Sequence, residues 1–254
     1  MKITLLGTTG GVFTKNRGYP SILIDDSLLL DCGDGTAQRL MEVNSLRSIK
    51  TICLSHLHGD HSMGIMSLLW YYVLTNRKEK LTIIAPSPLK EFIARILDIF
   101  LPPELIPFPF ELDVVELNGA SKILEVEGGY MLKCARMDHT IKAFGYRVEG
   151  NEGHLCYSGD TRFRQELIDL ARGCDILICE STFPDDKTEN AHQAGHCTPS
   201  EAARMARDAG CGKLVLVHFS PLFPRPVGQL IEGIKPIFER EILIGEDLMT
   251  LEIP

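Results

Sequence analysis

The chain has 254 residues, 44% apolar and 24% charged, a composition that fits a soluble globular protein with a sizeable core. Its formal charge of −8 argues against a broad non-specific nucleic-acid surface, while leaving room for a local phosphate site. The apolar run in MKITLLGTTGG is too short for a signal peptide, and no stretch of about 18 uninterrupted apolar residues marks a membrane span, so no membrane partner is expected.

KITLLG, SILID and SLLLD open the chain as strands, the last two separated only by the turn-prone Asp25-Asp26 region. TAQRLMEV (36–43) reads as a helix and TICLS (51–55) as a short buried strand. MGIMSLLWYYVLTNR is apolar over nearly its whole length and predicts a buried helix; LTIIA is a strand and PLKEFIARILDIF an amphipathic helix. FLPPELIPFPF (100–110) holds four prolines, which forbid regular helix, and reads as a stiffened packed connection. A strand-rich middle follows: FELDVVEL, KILEVE, YMLKCARM, AFGYRVEG and HLCYSGD, with turns at NGAS, EGGY and EGNEG. Then come helix RQELIDLAR, strand DILICE, a polar loop, helix TPSEAARMARDAG, strand KLVLVHF, a helix near VGQLIEGIKPIFER and strand LMTLEI. Thr198 to Glu201 spells a capping box with proline at the first helical position. Mixed strands with helices outside predict a layered α/β domain spanning 1–254. Eight cysteines without CxxC pairs, several inside apolar strands, read as reduced thiols in a cytoplasmic protein.

Against this background, LSHLHGDHSMG (54–64) packs three histidines and an aspartate into six positions, in a chain with eight histidines altogether. One reading is a polar loop; the other is a metal cage. His56 and His58 are two apart and share one side of an extended chain, so both reach one ion. Gly59 permits a turn, after which Asp60 and His61 serve a second ion as the backbone enters a helix. Imidazole suits zinc, although manganese and iron share such ligands. Two ions need more donors than this cluster supplies. His139 after YMLKCARMD, Asp160 after HLCYSG and His218 after KLVLV are polar residues at strand ends, where the missing donors should sit.

HLHGDH resembles the HxHxDH signature of the metallo-β-lactamase superfamily, and LLGTTGGV, LLLDCGDGT, YSGDTR, GHCTPSEAA and LVLVHFSP resemble blocks of its ribonuclease Z group over nearly the whole chain. The resemblance implies a four-layer αββα sandwich with two divalent ions in a cleft at the sheet edges. One ion would be held by His56, His58 and His139, the other by Asp60, His61 and His218, with Asp160 bridging. Asp31 would stand behind the ligands and orient them, the other reading being a turn residue of DCGDG. Asp60 would accept a hydrogen bond from the attacking water, and His196, held by Glu180, would donate to the leaving oxygen. Here Cys197 stands where the group's His-Ser-Thr element has serine, and Cys179-Glu180-Ser181-Thr182 replaces its His-Glu-Ala-Thr. Lys15 and Arg17 fall where the group has an RNA-touching PxKxRN loop, so phosphate contact is expected there, although a solvated loop explains two cations equally well. His192 and His154 match nothing and read as loop and surface residues.

One departure bears on the substrate. The group commonly carries a long tRNA-clamping arm between the third-motif histidine and the bridging aspartate, yet 20 residues separate His139 from Asp160, and two strands with a turn use them up. The leading expectation is therefore a dinuclear metal-dependent phosphodiesterase acting on a small phosphodiester or on RNA without that clamp. The rivals are a true tRNA 3′-end endoribonuclease, a hydrolase of carboxylic ester, thioester, lactone or sulfate bonds, and a metal-binding module without turnover. The apolar MGIMSLLWYYVL helix and the proline-rich loop are candidate contact surfaces for a homodimer.

Overall fold

The computed structural model describes residues 1–102, 107–151, 153–224 and 227–253. Residues 103–106 of the proline-rich connection lie outside that set.

The first half builds one sheet. β1 (Lys2–Gly7), β2 (Ser21–Ile24) and β3 (Leu28–Leu30) pair antiparallel. Asp25 and Asp26, both at positive φ, make the tight turn between β2 and β3. From β3 the chain alternates: α1 (Thr36–Glu42), β4 (Thr51–Cys53), α2 (Gly59–Ser62), α3 (Gly64–Leu74), β5 (Leu81–Pro86), α4 (Leu89–Phe100) and β6 (Leu112–Leu117). Strands β3 to β6 pair parallel.

The second half repeats the plan. β7 (Ser121–Val126), β8 (Tyr130–Met137), β9 (Ala143–Gly150) and β10 (Gly153–Tyr157) form an antiparallel meander. Parallel strands β11 (Ile176–Glu180), β12 (Lys213–Val217) and β13 (Glu241–Ile244) follow. α5 (Gln165–Leu170), α6 (Thr188–Ala194), α7 (Pro199–Ala209) and α8 (Val227–Ile234) lie between them in sequence. β14 (Thr250–Glu252) then crosses back to β1. The described residues thus make two seven-stranded sheets.

Strand alternation decides the layering. Ile3, Leu5, Ile22, Ile24, Leu28 and Leu30 face Phe144, Tyr146, Val148, Ile176, Ile178 and Val215 in a core between the sheets. Their neighbours Leu6, Leu23, Leu29 and Ile52 turn outward onto the helical cluster that includes Leu40, Leu68 and Tyr72. Leu177, Cys179, Leu214 and Leu216 turn outward onto Leu167, Ala202 and Met205. Buried on both faces, these strands read as near-continuous apolar runs. This is the αββα sandwich.

Three details depart from the sequence expectation. EILI forms β13, which the sequence reading leaves unassigned, because four residues flanked by charge carry little periodicity. The polar loop before TPSEAA contains α6, whose sequence TENAHQA has no apolar stripe to announce it. The apolar α3 is buried on one side only, with Trp70 and Leu74 exposed.

Candidate metal centre

The site lies where strands of one direction end. β3 and β4 are parallel, as are β10, β11 and β12, and β8 runs with β10 because each pairs antiparallel to β9. Their C-terminal ends therefore share one rim, and Asp31, the 54–61 segment, His139, Asp160, Glu180 and His218 all follow those ends. Two bonds lock the sheets together beneath them: the fully buried Tyr146 donates its hydroxyl to Leu54 O at 2.6 Å, and Phe144 N donates to Ser55 O at 2.9 Å.

Outer partners set the tautomer of four imidazoles. His139 Nδ1 lies 2.8 Å from Gly195 O, an acceptor only, so Nδ1 carries the proton. His61 Nδ1 likewise donates to Asp31 Oδ2 at 2.7 Å. Ser55 Oγ spends its proton on Asp31 Oδ2 at 2.8 Å and accepts from His56 Nδ1 at 3.0 Å. Thr182 Oγ1 spends its proton on Glu180 Oε2 at 2.6 Å and accepts from His218 Nδ1 at 2.8 Å. In the neutral ring so oriented, each inner Nε2 carries a lone pair aimed at its neighbours, the arrangement by which proteins prepare histidine ligands.

Those inner nitrogens stand at the spacing of ligands that share an ion. His58 Nδ1 is 3.0 Å from His56 Nε2 and 3.1 Å from His139 Nε2, and one hydrogen can satisfy only one of these contacts. His61 Nε2 and His218 Nε2 stand 3.1 Å apart. Nitrogens on one tetrahedral zinc, with bonds of about 2.0–2.1 Å, sit roughly 3.3 Å from each other. Asp160 occupies the middle: Oδ2 is 3.3 Å from His61 Nε2 and 3.7 Å from His56 Nε2, and Oδ1 is 3.4 Å from His218 Nε2. Asp160 Oδ1 is buried with no hydrogen-bond partner, a costly condition that a cation relieves. Asp60 Oδ2 stands 3.6 Å from both His61 Nε2 and His218 Nε2 and accepts from Gly11 N at 3.0 Å. The donor set therefore fits two divalent cations on either side of Asp160.

The electrostatics agree with the geometry. Burial, aided by neighbouring imidazoles, holds His56, His58 and His139 below the usual histidine range, which keeps them neutral and ligand-competent. His61 goes the other way: burial lowers it, but Asp160 and Asp31 prevail and raise it well above the usual range. Cation binding therefore competes with a proton on His61, and metal affinity should fall in acid. Asp31, at φ 58°, is the anchor: besides His61 and Ser55 Oγ it accepts from Ser55 N at 2.6 Å and Tyr157 Oη at 2.6 Å. Asp31→Asn should weaken metal binding about ten- to a hundredfold. It should also destabilise the fold by roughly 1–3 kcal/mol for the donor it strands; metal-competition titration and urea unfolding measure the two effects.

Beside the cluster, Glu180 accepts from Thr161 N at 2.7 Å and holds His196 Nδ1 at 3.0 Å. His196 stacks on His218 at 5.4 Å between ring centroids, and its Nδ1 is 3.8 Å from Asp160 Oδ2. Burial alone would lower His196, but the charge and hydrogen bond of Glu180 raise it to about 9. Gly195, at φ +86°, brings its carbonyl against His139; a Cβ there would lie 2.7 Å from His139 Nδ1. A left-handed glycine is thus required where the 191–196 turn meets the site.

The structure brings together His56, His58, Asp60, His61, His139, Asp160, His218, His196 and Glu180, with Asp31 behind them. Arg17 lies at the periphery, where its Nη1 donates to Thr8 Oγ1 and Gly245 O, each at 2.7 Å; Lys15 is exposed. Sequence reasoning quoted Ser55, Tyr157 and Thr182 only as members of the SHLHGDH, YSGDTR and Cys-Glu-Ser-Thr stretches and gave their hydroxyls no role. It also missed the partner of His192, whose Nε2 meets Glu201 Oε1 of the capping box at 2.7 Å. An open cleft of about 630 Å³ reaches the cluster, lined by Gly11, Tyr19, Asp34, His58, Asp60 and Met63 among others.

Comparison with known proteins agrees with this architecture. Residues 27–219 match the model of the β-lactamase superfamily domain. The fold and the His/Asp cluster define a metal-dependent hydrolase of the metallo-β-lactamase type. The chain belongs to the ribonuclease Z-like group of that superfamily. It is 28% identical to Ribonuclease Z of Methanosarcina acetivorans, over all of this chain and 98% of that protein. It is 30% identical to Ribonuclease Z of Ignicoccus hospitalis, over 89% of this chain and 88% of that one. The crystal structure of the human tRNase Z short form superposes with a TM-score of 0.83 at 28% identity, each chain covered completely. The Bacillus subtilis metallo-β-lactamase fold protein YhfI shares the fold, with a TM-score of 0.83 at 22% identity over 98% of both chains. The Methanosarcina alignment runs over 307 positions against the 254 residues here, so 53 of its positions have no counterpart in this chain.

Proposed function

We propose that this protein hydrolyses phosphodiesters at a pair of divalent cations, zinc in the first instance, with manganese and iron as chemically compatible substitutes. His56, His58 and His139 would hold one ion, Asp60, His61 and His218 the other, and Asp160 both. Bound there, the ions would supply Lewis-acid charge neutralisation and a nucleophilic hydroxide at neutral pH. The chain supplies the rest. Asp60, anchored by Gly11 N–H, accepts a hydrogen bond from the attacking water. His196 is the proton donor to the leaving oxygen, and Glu180 fixes its Nδ1 so that Nε2 delivers the proton.

The observation that carries this reading is the Glu180–His196 pair beside Asp160. The charge and hydrogen bond of Glu180 favour the imidazolium form of His196, the form that an alkoxide leaving group requires and an activated ester does not. The names of the relatives make RNA the first substrate class to examine, and the 20-residue interval between His139 and Asp160 favours short or unstructured phosphodiesters over a clamped tRNA. The test is a panel on zinc- and manganese-loaded protein: a dinucleotide, a 3′-extended tRNA transcript and a carboxylic ester. Turnover of the dinucleotide at least tenfold above the ester supports the reading. Site-specific cleavage of the tRNA at matching efficiency would favour the endoribonuclease, and ester turnover alone would overturn the phosphodiesterase.

Eight free, buried cysteines suit a reducing, cytoplasmic setting. Among the described residues no helix is long and apolar enough to cross a membrane. Exposed Trp70 and Leu74 on α3 are where a second copy would pack to form a homodimer.

A further inference from the structure

Behind the metal centre the two sheets meet a second time. Where β1 ends, Thr9 forms a parallel bridge with Phe219, the residue after His218. Thr8 O accepts from His218 N at 2.8 Å, and this bond holds His218 at its left-handed φ of 61°. Residues 9–18 then loop out and return, closed by Thr9 N donating to Gly18 O at 3.0 Å; at the tip side of this loop Gly11 N donates to Asp60 Oδ2 at 3.0 Å. One short segment thus controls the backbone of one proposed ligand and the carboxylate of another.

A single carboxylate secures that segment. Asp247 lies in the crossing from β13 in the second sheet to β14 in the first, and its side chain is 5% exposed. Its Oδ1 accepts from Thr8 Oγ1 at 2.7 Å; its Oδ2 accepts from Gly18 N at 2.6 Å and from Arg39 Nη2 at 3.3 Å. The Thr8 hydroxyl, its proton given to Asp247, accepts in turn from Arg17 Nη1 at 2.7 Å. Arg17 also reaches Gly245 O and lies over the Phe219 ring at 5.7 Å. Both ends of the 8–18 segment are therefore tied to Asp247, and Arg17 braces the same knot.

We propose that Asp247 is a positioning residue for the Asp60–His218 half of the metal centre, acting through Thr8 on the His218 backbone and through the 9–18 loop on Asp60. The proposal rests on the two-cation reading above. It also gives Arg17 a structural office, bracing Thr8, in place of direct contact with substrate phosphate. Among the described residues, His56, His58 and His139 hydrogen-bond to Ser55, Gly195 and one another rather than to this knot, so the two cations should respond differently.

The test is titration of Asp247→Asn with cobalt, followed by visible d–d absorption and by metal content per chain, beside the wild type and Asp60→Asn. Thr8 and Gly18 donate to different oxygens of Asp247, and in asparagine one of those positions becomes an NH2 that cannot accept. The expected result is one cation bound about ten- to a hundredfold more weakly, with an altered band, the same cation that Asp60→Asn loses. The other cation should bind as in the wild type, and kcat should fall more than KM rises. Thr8→Val should reproduce the effect and Thr8→Ser should rescue it, which keeps the test open if Asp247→Asn folds poorly. A lower unfolding temperature with both affinities and the cobalt spectrum unchanged would overturn the role, as would equal weakening of both cations. A wild-type protein that binds no divalent cation overturns the metal reading itself, and this role with it.

Discussion

Asp160→Asn is expected to lower kcat/KM at least a thousandfold and to leave the protein with fewer than two bound cations. A thousandfold loss corresponds to roughly 4 kcal/mol of transition-state stabilisation at about 1.4 kcal/mol per decade. The size follows from where the carboxylate sits. It is 2% exposed, and its oxygens lie between 3.3 and 4.0 Å from nitrogens of His61, His218, His56, His196 and His139. Burial alone would raise its pKa, yet His218 and His61 hold it well below the usual carboxylate range. An amide has the same shape but no charge, so it can neither bridge two cations nor offset the imidazoles that crowd it. Metal analysis per chain together with dinucleotide turnover checks this, and a variant that keeps two ions and activity within tenfold of wild type would sink the bridging assignment.

The second large effect depends on the substrate. His196→Ala should cost about a hundred- to ten-thousandfold on a phosphodiester with an alkoxide leaving group. It should cost less than about tenfold on a p-nitrophenyl ester of phosphate, whose leaving oxygen needs no proton. The direction of the pH dependence follows from the same pair. His196 is active as the imidazolium, so activity is present below its pKa and lost as pH rises through it. Glu180 raises that pKa to about 9, and cations near Asp160 would pull it down, so the basic limb should fall at or below pH 9. Glu180→Gln removes the charge that raises it and should move the limb to lower pH. A flat profile from pH 7 to 10 on an alkoxide substrate, unchanged in Glu180→Gln, would remove His196 from the reaction.

How much of this was legible in the amino-acid order varies from residue to residue. The cluster at 56–61 was legible because its donors are adjacent in the chain and of a scarce type. His139, Asp160 and His218 were legible as polar residues closing apolar strands, since a parallel sheet gathers strand ends on one rim. A layered α/β domain was legible from strands alternating with helices, while the four-layer αββα order was implied only by the resemblance; strands buried on both faces, as in Leu28–Leu30 and Ile176–Glu180, are how the structure realises it. The capping box of α7 was visible from spacing alone.

The roles of Ser55, Thr182, Tyr157 and Asp247 were not visible. Each is a common residue type whose importance comes from a partner distant in sequence: Tyr157 reaches Asp31 across 126 positions and Asp247 reaches Thr8 across 239. By itself, then, the sequence determined which side chains are able to bind metal and which strand ends carry them, because residue type and local periodicity are properties of the chain order. Only the tertiary structure decided the tautomer of each imidazole, the raised proton affinity of His196 and the clasp behind His218. Those depend on which oxygen stands opposite which hydrogen, and that is settled when two sheets from different parts of the chain pack face to face.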